Sequence, residues 1–245
     1  MANSKHIQQL KQGTAIWNHW RQKTSIAMPD FNSGYCRGYQ LVGAHLYNSD
    51  FHGNDLLKAN LSRAHLEQAN LSNASLRKTD FSGAYLQKAN LLQTDAREAN
   101  LSRADLNQAS LIEANLTKAH FVETNLSHAI LTKTTLTQAS LIRAKLHGTD
   151  FTGACLNGAD LSGADLRGTN FSGADLSGAR FTGAYLDQVA FDDANMQGAD
   201  FNGASFGGGH CHQAYPVSQC RKPWVQIAFS SMSYTWQGLD ALETV

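Results

Sequence analysis

The sequence predicts an all-β solenoid, a chain that winds about one axis and turns a corner every five residues. Three observations predict it. An apolar residue recurs at every fifth position, without a slip, from Phe31 to Phe206. From Ala44 to Ala204 a small residue stands two positions ahead of each of these, Ala or Thr at 30 of 33 sites, with Ser49, Asn54 and Val189 as the exceptions. The other three positions of each unit are mostly polar or Gly. An α-helix turns about 100° per residue, so a step of five scatters the apolar positions around its axis. A straight strand alternates faces, so an odd step sends successive Leu residues to opposite sides. Internal repetition of this kind belongs to a solenoid.

The first element is helical. Ile7, Leu10, Thr14, Trp17 and Trp20 recur at three- and four-residue spacing, which predicts a helix. Ser4 is placed to cap its start, and Gly13 weakens its middle. Met28, Pro29 and Asp30 end it and open the first extended segment. Residues 1–30 are thus expected to form an N-terminal helical cap, because an open solenoid end exposes unpaired backbone and an apolar cross-section. A membrane-surface or partner helix is the other use of such a stripe.

The second element is the repeat itself, residues 31–206. From position 41 the large centres are Leu or Phe except Ala96 and Met196. Residues two apart share one side of an extended segment, so the small and large columns both point inward. The stretch from Ala159 to Gly168 shows the unit twice, as Ala-Asp-Leu-Ser-Gly and Ala-Asp-Leu-Arg-Gly. Small beside large fills the interior and leaves no lumen for a substrate. Ala96 alone lacks a large side chain; a small void or a leaning neighbouring Leu would follow.

These units resemble the pentapeptide-repeat family, whose pattern is A-[DN]-[LF]-[ST]-x. The resemblance implies a right-handed quadrilateral β-helix in which each pentapeptide is one side and four make a coil. The 36 centres from Phe31 to Phe206 would then give about nine coils of twenty residues. At about 4.8 Å per coil the rod would be roughly 43 Å long. In that register Phe151, Phe171 and Phe191 stack on one side, and Phe181 and Phe201 on the opposite one. The segment Ala15 to Arg21 looks like the N-terminal helix of cyanobacterial members. In the gyrase-protecting branch the C-terminal end is the dimer contact, but no clear C-terminal helix here matches it.

The last element, residues 207–245, is an irregular C-terminal cap or extension. Gly207, Gly208 and Gly209 break the rhythm, although Cys211 still falls on the inward register. Val225, Ile227 and Phe229 alternate, which suggests one or two strands with a hairpin near Ser230 and Ser231. Leu239 to Val245 has the character of a helical turn. The tail would close the last coil or join a second copy through an end of the rod.

Composition narrows the function. The 245 residues carry 20 basic and 20 acidic side chains, which argues against a generic polyanion or polycation binder, and no direct nucleic-acid binding is expected. No run of about 18 apolar residues is present to span a membrane. Asn3, Ser4, Lys5, His6, Gln8 and Gln9 interrupt any signal-peptide core, so a cytoplasmic location is expected. Cys36 is inward and Cys155 outward in the repeat register. His210, Cys211, His212 and Cys220 are the one ligand-capable cluster, but the CxxC and HxxxH spacings of zinc sites are absent. A Cys211–Cys220 disulfide and unpaired structural Cys are the alternatives. Nucleophile-elbow, HExxH, phosphate-loop and dinucleotide signatures are lacking, so an enzyme and a cofactor are not expected. The Gly residues from Gly148 to Gly183 sit at the last repeat position, where they serve turns.

What remains is surface. From Phe31 to Lys145 there are 12 basic and 9 acidic residues; from Leu146 to Phe206 there are 2 and 8. Lys58, Arg63, Lys78, Lys88, Arg103, Lys118 and Arg143 occupy last positions of early units, where later units have mostly Gly. The rod therefore has a bristly, mildly basic half and a smooth, acidic half. The expected function is a non-catalytic protein–protein interaction module with an unknown protein partner, a rigid scaffold or regulator. The alternative is a DNA mimic that binds a type II topoisomerase, as in the quinolone-resistance branch. Tyr85, Tyr185, Trp224 and Trp236 are candidate anchors, since Tyr and Trp bury large area at low entropic cost. Asp160, Asp165 and Asp175 are the acids that mimicry would use. Their regular second position also suits corner-bonding side chains.

Overall fold

A computed structural model describes residues 3–24 and 26–206. It opens with two helices where one was expected: α1, Ser4–Lys11, and α2, Thr14–Lys23. Gly13 takes φ 104° between them, a conformation that stops the first helix and starts the second. Asn3, not Ser4, caps α1, its Oδ1 accepting the Lys5 N–H at 3.0 Å. The break also shifts the buried stripe. Leu10 and Trp17 are buried as expected, but His6 and Arg21 complete the stripe while Ile7 and Trp20 are only partly covered.

From Asp30 onward each second-position residue pairs in parallel with the residue twenty later, from Asp30 with Asp50 to Tyr185 with Ser205. Four pentapeptides thus complete one turn. Each side contributes a single bridging residue and no longer strand, because the next corner arrives five residues on. The rungs are regular: the Leu161 N–H donates to the Arg180 carbonyl at 2.7 Å, and the Arg180 N–H donates to the Ala159 carbonyl at 2.9 Å.

The corners are β-turns. Along the small column the N–H donates to the centre three positions back, as from Ala44 to Leu41 at 3.0 Å and from Ala159 to Leu156 at 2.9 Å. The last residue of the unit has positive φ, the requirement of a type II turn at its third position. Glycines from Gly148 to Gly183 meet it at φ 63–68°, but non-glycine corners such as Lys58, Arg103 and Gln138 adopt φ 57–61° as well.

All centres from Phe31 to Phe201 are at most 4% exposed. Phenylalanines stack on the twenty-residue register: Phe151 on Phe171 at 5.0 Å, Phe171 on Phe191 at 5.6 Å and Phe181 on Phe201 at 4.7 Å. Ala96 is itself 1% exposed, so the missing large centre opens no path to solvent. The helices lie on the start of this column. The Trp17 ring is 5.4 Å from Phe31, and its Nε1 donates to the His45 carbonyl at 2.9 Å. His6 Nδ1 accepts the Asp30 N–H at 2.9 Å. Arg21 tucks under α2, donating to the Ile26 and Tyr47 carbonyls with its guanidinium 4.4 Å over the Tyr47 ring.

Candidate interaction surface

With both inward columns buried, function falls to the outer positions. These are set by the corner. A second-position Asp or Asn accepts the backbone N–H two residues on, which fixes the turn and leaves the other oxygen outward. Asp160, Asp165 and Asp175 all do this, receiving the N–H of Ser162 at 3.0 Å, Arg167 at 3.4 Å and Ser177 at 3.0 Å. The twenty-residue register sends them to three different sides. Asp160 faces Arg180 at 3.8 Å across one coil. Asp165 is clasped by Arg167 through Oδ1 at 2.7 Å and Oδ2 at 2.6 Å, and this holds its carboxyl below the usual range. The three acids are not brought together, and two of them face a guanidinium.

Tyr85 and Tyr185 lie on one column, five coils apart, 42% and 56% exposed. At its first coils this column is an aromatic ladder that the sequence reading missed. The His45 and His65 rings meet edge to face at 5.3 Å, and His65 stacks on Tyr85 at 4.7 Å. The signal was present, since positions 45, 65 and 85 differ by twenty. Partial burial, with Arg21 and His65 nearby, pushes the His45 imidazole below its ordinary pKa, while Glu67 opposes the shift. Tyr47, 39% exposed, lies under the Arg21 guanidinium of α2.

The remaining candidates divide cleanly. Cys36 is buried, and burial pushes its thiol up to about 11, so it is inert. Cys155 is exposed. Among the described residues there is no group of three His, Cys, Asp or Glu placed to hold a metal. Nor is any described helix long and apolar enough to cross a membrane. Trp224, Trp236 and the cluster His210, Cys211, His212 and Cys220 lie outside the described residues, as does all of 207–245.

The family model for pentapeptide repeats matches this chain in eight copies between residues 35 and 208. No curated protein matches the sequence. Among solved structures the chain is similar to HetL, a pentapeptide repeat protein involved in heterocyst differentiation regulation in the cyanobacterium Nostoc sp. strain PCC 7120. Identity is 26%, covering 78% of this chain and 95% of HetL, with a TM-score of 0.27. It is similar to a trypsin-treated form of QnrB1, a plasmid-mediated fluoroquinolone resistance protein, at 22% identity over 71% of this chain and 88% of that one, TM-score 0.36. A pentapeptide repeat protein of the Arabidopsis thaliana thylakoid lumen shares 28% identity over 54% and 71% of the two chains, TM-score 0.27. The chain belongs to the pentapeptide-repeat family, and its coils are those of a right-handed quadrilateral β-helix.

Proposed function

We propose that this protein is a non-catalytic protein-interaction module: a rigid rod of about nine coils, capped by its N-terminal helices, that displays side chains to a protein partner. The observation that supports it best is the filled interior, since centres at most 4% exposed leave recognition to the outer wall. The column bearing His65, Tyr85 and Tyr185 is the first surface to scan, because aromatic anchors dominate such contacts. We place the protein in the cytoplasm, with a homodimer through an end of the rod as its simplest assembly.

A DNA mimic acting on a type II topoisomerase is the second reading, motivated by the acidic excess after Leu146. Against it, Asp160, Asp165 and Asp175 point to three sides and do not form one acidic stripe. A gyrase supercoiling assay separates the two. The module reading expects no inhibition at micromolar protein, together with a host protein captured by the intact rod and lost with Tyr85→Ala and Tyr185→Ala. Inhibition that disappears on neutralising Asp160, Asp165 and Asp175 would reverse the ranking.

A further inference from the structure

The positive excess of the early coils gathers on one wall. It is the side whose stacked column runs from Asn60 through Asp80, Asn100 and His120 to Ser140. Lys58, Lys78 and Lys118 take corners at which the chain enters this wall, and Arg63, Arg103 and Arg143 corners at which it leaves. Set against them are Asp80 on the wall and Glu98 and Glu123 at its corners. The other 6 basic and 6 acidic residues between Phe31 and Lys145 cancel, so the net of +3 in that half belongs to this wall.

All six cations are exposed. Lys78 meets Glu98 at 3.4 Å, and Arg103 meets Glu123 at 2.9 Å. Lys58 and Lys118 on one edge, and Arg63 and Arg143 on the other, have no carboxylate in ion-pair reach among the described residues. An incoming anion therefore meets charges that no internal pair has to release. The floor between the edges is short and polar, with Ser62, Ser82 and Ser102 in successive coils. An open groove of about 630 Å³, lined by Lys78, Glu98, Lys118, His120 and Gln138, runs along the entering edge. Beyond Arg143 both edges turn to glycine, from Gly158 and Gly163 to Gly198 and Gly203. At about 4.8 Å per coil, Lys58 and Lys118 stand roughly 14 Å apart and Arg63 and Arg143 roughly 19 Å.

We propose that this wall binds an acidic, extended segment of a protein partner, whose carboxylates lie between the two basic edges. The proposal rests on the interaction-module reading and adds the chemistry of the partner. About six residues, at about 3.3 Å each, cover the longer span. Nucleic acid fits less well. Asp80, Glu98 and Glu123 interrupt the path of a phosphate backbone, whose charge has no gaps. The outer positions of the wall from Asn60 to Ile142 hold no Phe, Tyr or Trp on which a base could stack. Exposed ion pairs are individually weak, so the affinity is low and sensitive to salt.

Fluorescence anisotropy of a dye-labelled eight-residue peptide of alternating Glu and Ser tests it. The Lys counterpart and an eight-nucleotide thymidine strand are the comparison probes. In about 20 mM salt the intact chain should bind the Glu peptide at least tenfold more tightly than either, and at least fivefold less tightly at about 150 mM. Arg63→Glu with Lys118→Glu should weaken that binding at least tenfold. Lys88→Glu with Lys133→Glu makes the same change of net charge away from this wall and should leave it within twofold. Glu already takes such corners at Glu98 and Glu113, with φ 59° and 56°, and circular dichroism checks that both variants fold. Equal loss in both variants, a Glu peptide bound no better than the Lys peptide, or tighter binding of the thymidine strand overturns the proposal. Capture of a host protein through Tyr85 and Tyr185 is a separate measurement, so the module reading stands or fails independently.

Discussion

At the residue scale, the protein is governed by which side chain fits each position of a five-residue unit. Gly34 shows how tight the inward column is. A Cβ there would sit 2.9 Å from Asn54 Nδ2 and 2.9 Å from the Phe31 carbonyl. The only Asn in the inward small column, Asn54, is fully buried and donates to that same carbonyl at 2.7 Å. The large Asn is accommodated because Gly precedes it by one coil. Gly34→Ala should therefore destabilise the first coils by about 1–3 kcal/mol, read by denaturant unfolding; an unchanged midpoint would show that Asn54 moves freely. A second residue-scale effect is titration. His45 has its folded pKa depressed, so the unfolded chain binds more protons as pH falls. Its contribution is complete above about pH 6.5 and is lost as pH drops through the depressed folded value. Thermal midpoints should fall on acidification below about pH 6.5, with a shallower slope in His45→Gln. Parallel slopes would assign the acid sensitivity to other groups.

At the element scale, the corner and the helices set the terms. The left-handed corner is required of every unit, yet from Lys58 to Arg143 every corner but Gly83 carries a side chain, most of them long. Such a conformation costs a non-glycine residue about 1 kcal/mol or more. Gln108→Gly, at φ 60°, should stabilise by up to about 1 kcal/mol, and Gly173→Ala, whose Cβ meets nothing within 4 Å, should cost about as much. Equal and opposite shifts in the urea midpoint would locate the effect in backbone conformation. Removing residues 1–27 should bare Phe31 and give concentration-dependent association in light scattering; a deletion with unchanged mass would deny the helices a capping role. The helical region was legible as a stripe of Leu10 and Trp17. Its phase was not, because Gly13 breaks the helix and brings His6 and Arg21 inward. A polar residue on the apolar side is invisible to a hydrophobic pattern, and only the carbonyls of Ile26 and Tyr47 explain why Arg21 is tolerated.

At the scale of the whole molecule, the fold was legible from spacing, whereas the surface was legible only in part. A strict step of five, carried by Leu and Phe centres, forces corners and leaves one solution for where each side chain points. Stacking every twenty residues brought His45, His65 and Tyr85 together, a proximity that composition does not contain and that the family register supplies. The same register divides Asp160, Asp165 and Asp175, near in sequence, among three sides. Register is therefore the property on which everything depends, and one substitution tests it. Leu161 is fully buried, with its N–H bonded to the next coil. A carboxylate there has no partner in the apolar column and no route to water, so it costs several kcal/mol. In a solenoid each coil rests only on its neighbours, so the damage divides the rod instead of being spread through one core. Leu161→Ala should lower stability by about 2–5 kcal/mol and keep a single transition. Leu161→Asp should lose the cooperative transition altogether, as measured by circular dichroism across a urea series. An aspartate variant that unfolds in one step at the wild-type midpoint would mean that position 161 faces solvent, and the register of the coils would have to be redrawn.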